Sequence, residues 1–83
     1  MTKVEITWED SQASMEGWLH REDFAEWADR PALEIKTIGY VYEETDTAFV
    51  LVQSYSPKQV IHGIKIPKRC ITNIDDLLRD EDV

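Results

Sequence analysis

Apolar and polar residues alternate strictly in "KVEITWED". Val4, Ile6 and Trp8 fall on one face, and Lys3, Glu5, Thr7 and Glu9 on the other. A period of two predicts a half-buried first strand. The next stretch, "SQASMEGW", is polar and Ser-rich but ends on a second tryptophan, Trp18. "REDFAEWADRP" then changes period. Phe24, Trp27 and Ala28 sit at i, i+3 and i+4, and Asp23 and Glu26 have capping-box spacing. Pro31 ends the pattern, so a helix is predicted at about 22–30. Two turns cannot persist alone in water, so its Phe24/Trp27 face is expected to pack as a lid over one end of a sheet.

From Leu33 the pattern is all strand. "LEIKTIGYVYEE" is long, and Gly39 in its middle predicts a bend. "ETDT" and "SPKQ" are turns. Between them "AFVLVQSYS" reads as a central strand, apolar on both faces. "VIHGIKI" is a fourth strand with Gly63 at a bend or bulge. In "PKRC" Pro67 breaks the pairing, and "ITNI" is a short fifth strand. The expected fold is therefore mainly β with one short helix. It is a small five-stranded barrel over residues 1–75, the helix inserted after strand one, with 76–83 an acidic tail. Closure into a barrel would remove exposed sheet edges.

Composition narrows the setting. Eighty-three residues, 42% hydrophobic and 31% charged, make one globular domain near the lower size limit for a single core. The one cysteine, Cys70, leaves no intramolecular disulfide, and small secreted domains usually need several. With Lys3 and Glu5 interrupting any leader-like run, and the apolar stretch Ala48 to Val52 too short for a bilayer, a soluble cytoplasmic chain with no membrane partner is expected. The net charge of −8 is uneven: residues 1–30 carry −5, residues 31–74 carry +1, and the tail from Asp75 carries −4. Direct nucleic-acid binding is disfavoured at long range. Lys58, Lys65, Lys68 and Arg69 nevertheless form a local basic cluster. Such a cluster serves either solubility and edge protection or a small anionic ligand.

The run "IPKRCI", a hairpin ending in a proline-led turn before a brief last strand, is similar to the end of SH3-like barrels. Sm-like barrels share the bent five-strand layout. Here the helix follows strand one instead of preceding it, and the Sm glycine signature is missing, so no RNA contacts are carried over. The order "TWEDS", "GW", "IGYVYEETD", "LVQSYS", "IPKRCI" also resembles small proteins encoded by bacteriophages and prophages. That resemblance implies a viral context in a bacterial host and no catalytic residues.

Catalytic material is sparse. His62 alternates with Val60, Ile64 and Ile66 and is expected to be half-buried and structural. A Cys70/His62 pair on adjacent strands is the competing arrangement, although Cys70 reads better as a small buried hydrophobe. His20 and His62 with a carboxylate would need long-range convergence to hold a metal. Neighbouring acids such as Glu9/Asp10 and Glu43/Glu44 point to opposite faces of a strand. There is no phosphate loop. The expectation is a non-enzymatic protein without cofactor.

Binding chemistry is better represented. Trp8 is expected at the core or its rim. Trp18 either anchors its loop or stands in a recognition patch. If the loop borders the proline turn, Asp10, Ser11, Trp18, Lys68 and Arg69 would share one groove suited to a peptide or nucleotide-sized ligand. Tyr40 and Tyr42, on the face of Ile38, together with Tyr55 either pack at a rim or serve self-association. Three functions follow in order: a phage-type module engaging a host protein, an oligomeric small-ligand or nucleotide sequestering protein, and an acidic mimic of nucleic acid.

Overall fold

The computed structural model describes residues 1–14 and 17–77. The fold is mainly β, with five antiparallel strands in one sheet. The elements are β1 (Lys3–Asp10), α1 (Arg21–Ala28), β2 (Leu33–Glu44), β3 (Ala48–Tyr55), β4 (Val60–Pro67), a 3₁₀ turn (Lys68–Cys70) and β5 (Ile71–Asp76). Their spatial order is β4-β3-β2-β1-β5. Among the described residues β4 and β5 do not pair with each other, so the sheet rolls without closing and keeps two edges. Of the expected acidic tail, residues 78–83 lie outside the described residues.

Strand β2 organises the roll because it changes partner halfway along. Leu33 to Tyr40 pair with β1, whereas Tyr40 to Glu44 pair with β3. Gly39 stands at the change. A Cβ there would lie 3.2 Å from both the Leu51 Cβ and the Val52 carbonyl oxygen. The missing side chain lets β3 approach the bend. A register shift between Val41 and Glu43 adds a bulge, which locally increases twist. It also leaves Tyr42 without a ladder partner, so Tyr40 and Tyr42 do not continue a simple common face.

The core lies inside this roll. Val4 and Ile6 of β1 meet Leu51 of β3 and Ile66 of β4, with Trp8, Val41, Phe49 and Ile71 packed around them. Trp8 is thus at the core rim, and its indole Nε1 donates a 3.0 Å hydrogen bond to the Thr37 hydroxyl. On the opposite face of β1, Thr7 is buried and its hydroxyl accepts a hydrogen bond from Lys36 Nζ at 3.3 Å.

Four expectations are corrected. The helix begins at Arg21 with His20 as its N-cap, and no side chain caps it. Asp23 therefore sits inside the first turn, where it favours the helix dipole, instead of forming a capping box. The helix is also no lid. None of its residues is fully buried, and its two rings meet each other at a tilt, Phe24 to Trp27 at 5.4 Å between centroids. His62 is exposed instead of half-buried, because β4 is an edge strand and its outer half has nothing above it. The backbone irregularity expected at Gly63 lies one residue earlier. His62 has φ of 57°, in the left-handed region, while Gly63 stays in register opposite Val52.

Candidate binding surfaces

Two limbs project from the core. The first is the connection from Ser11 to Ala32 that carries α1. Trp18 is 102% exposed, so no part of its ring anchors the loop. It lines an open cleft with Leu19, Phe24, Ala25 and the Arg21 side chain, and Phe24 is itself about half exposed. Leu19 also borders a second hollow against Asp23, Glu26 and Trp27. The limb thus presents an open, aromatic, acid-rimmed surface, and none of its described apolar side chains is fully buried.

The second limb is the outer half of the β3–β4 hairpin. The β2–β3 ladder stops at Val52, whereas the β3–β4 ladder runs on to Tyr55 opposite Val60. Every residue from Gln53 to Lys65 is exposed, including Tyr55, Val60, Ile61 and Ile64. The Tyr55 ring meets Tyr40 edge-on at 5.0 Å, which ties the outer end of the hairpin back to β2. Sequence pattern alone hides this surface, since its apolar residues alternate as they would in a covered strand. The available signal is polar punctuation: Gln53, Ser54, Ser56 and Gln59 surround the turn in a way a buried strand pair would not tolerate.

The expected single groove is divided. Lys68 and Arg69 line a concavity with Asp46, Thr47, Ala48, Lys65 and Pro67 at the β2–β3 turn, whereas Trp18 lines the cleft on the α1 limb. Asp10 and Ser11 are exposed and engage each other, the Asp10 carboxylate accepting from the Ser11 amide at 2.8 Å. Lys68 is already occupied. Its Nζ donates to Glu44 at 2.6 Å and lies 5.2 Å from the centroid of the Phe49 ring. A lysine held by a carboxylate and a ring offers an incoming anion less than an open one, and among the described residues Lys65 and Arg69 are the cations of that concavity without an ion pair. Tyr42 is exposed on the bulge.

Cys70 is a free, half-buried thiol in the turn before β5. Among the described residues no three His, Cys, Asp or Glu side chains converge on a metal position. No helix among them is long and apolar enough to cross a membrane. Compared with known protein families, curated proteins and solved structures, the chain matches none.

Proposed function

We propose that this chain is a non-enzymatic binding protein of phage type, acting on a host protein in the bacterial cytoplasm through the limb that carries α1. The observation that carries this reading is the fully exposed Trp18 beside the half-exposed Phe24. Two large rings held in water are an energetic cost, at about 25 cal/mol per Å² of apolar area left unburied, unless a partner covers them. Aromatic residues dominate the energetically important centres of protein interfaces. Around them Glu22, Asp23, Glu26 and Asp29 outnumber Arg21 and Arg30, so the complementary surface is apolar and basic. Net negative charge would steer such a partner towards the limb.

The test is affinity capture from host lysate with the intact chain and with a Trp18→Ala/Phe24→Ala variant. The variant should keep its far-ultraviolet spectrum, because neither ring belongs to the core, and should lose the captured protein. Capture of the same protein at the same yield by both forms would remove the limb from the binding reaction.

A further inference from the structure

We infer that the α1 limb of one copy docks on the outer half of the β3–β4 hairpin of a second copy. This rests on reading the limb as a docking element and adds the identity of a partner for it. Two exposed apolar surfaces exist on the same chain and, among the described residues, line separate concavities. Trp18 and Phe24 line a cleft made only of limb residues, while Tyr55, Val60 and Ile61 line a separate hollow at the hairpin tip.

Their charges are complementary. Between Glu9 and Arg30 the sequence has seven acidic and two basic residues. The β3–β4 hairpin, Ala48 to Pro67, carries two basic residues, Lys58 and Lys65, and no acidic one. The acidic limb would repel the limb of a second copy, and the basic hairpin would repel a second hairpin, so like surfaces are disfavoured and the limb-to-hairpin contact is selected. Lys58 and Lys65 flank the exposed Val60, Ile61 and Ile64, which puts cations beside the apolar patch, as the limb puts acids beside its rings.

The size of the core points the same way. Among the described residues only Val4, Ile6, Ala48, Leu51, Val52 and Ile66 form the buried apolar set. The radius of gyration is 17.3 Å and the longest extent 56 Å, whereas a compact domain of this length has a radius of about 12 Å. Because limb and hairpin are different surfaces of one chain, a two-fold dimer can satisfy both contacts reciprocally. A host target that binds the limb would then compete with the second copy.

Sedimentation velocity on the full chain tests this, using an arm variant (Trp18→Ala/Phe24→Ala) and a hairpin variant (Ile61→Asp/Lys65→Glu). The unaltered chain should associate reversibly, with a dissociation constant that rises roughly tenfold or more as salt screens the charges. Each variant alone should sediment as a monomer. Mixed together they should associate through the one limb-to-hairpin contact that stays intact, more weakly than the unaltered chain but more tightly than either variant alone. A Lys58→Glu/Lys65→Glu variant, which leaves every apolar residue in place, should also be monomeric; this keeps the test open if Ile61→Asp perturbs folding. An unaltered chain that stays monomeric overturns the inference while leaving the capture result on the limb untouched. Hairpin variants that assemble like the unaltered chain, or a mixture that associates no more tightly than either variant alone, overturn it as well.

Discussion

Leu51 and Trp27 show how poorly residue type alone ranks energetic weight. Leu51 is 1% exposed at the centre of the core, so Leu51→Ala should cost about 2–5 kcal/mol, the range for a truncation that leaves a cavity. Trp27 is larger, but its aromatic partner is Phe24 on the same helix. Trp27→Ala should therefore cost no more than about 1 kcal/mol, as for other substitutions away from a core. Urea titration of both variants checks the contrast, and equal losses would mean that α1 does pack on the sheet. Gly39 supplies a second prediction at this scale. A methyl group there would press on the Leu51 Cβ and on the Val52 carbonyl oxygen. The carbonyl belongs to backbone in the paired stretch of the ladder and cannot swing aside. Gly39→Ala should destabilise by about 1–3 kcal/mol through overpacking, read as a lower urea midpoint at unchanged slope.

At the scale of elements, the strands are legible in the sequence and their surroundings are not. Alternation in "KVEITWED" identifies β1 and its buried face because period two is a property of one strand alone. The bend at Gly39 is legible for the same reason. What covers each strand depends on residues far along the chain. Nothing within "VIHGIKI" says that β4 is an edge, so His62 reads as half-buried when it is exposed. Similarly, "DFAEWA" has the spacing of an amphipathic helix, but its spacing cannot tell whether a surface waits to receive it. Of the candidate site, the sequence leaves Trp18 open between loop anchor and surface patch, and only the fold shows its ring exposed. The assignment of Trp18 and the basic cluster to one groove fails because it needs the path of a loop. A helix of eight residues with no side-chain cap and no buried face should open easily. In dilute protein, hydrogen exchange should show α1 amides exchanging far faster than those of Ile6 in β1 or Leu51 in β3. Equal protection across the three would require a tertiary contact for α1.

For the whole molecule, stability and association are coupled by mass action. One small core supports 83 residues, and the two limbs add exposed apolar surface without adding to that core. If the limbs cover each other between copies, unfolding must also separate the copies, and the folded state gains stability with concentration. For a dimer that unfolds in one step, each tenfold rise in concentration adds about 1.4 kcal/mol per dimer. Unfolding enthalpy runs near 0.7 kcal/mol per residue, so the midpoint should climb by about 4 °C per tenfold rise. The hairpin variant should show a flat midpoint over the same range, with the same far-ultraviolet spectrum. A monomeric chain would instead give a flat midpoint in both. Calorimetry at two concentrations thus separates a domain that is stable alone from one whose limbs are part of its fold only in company.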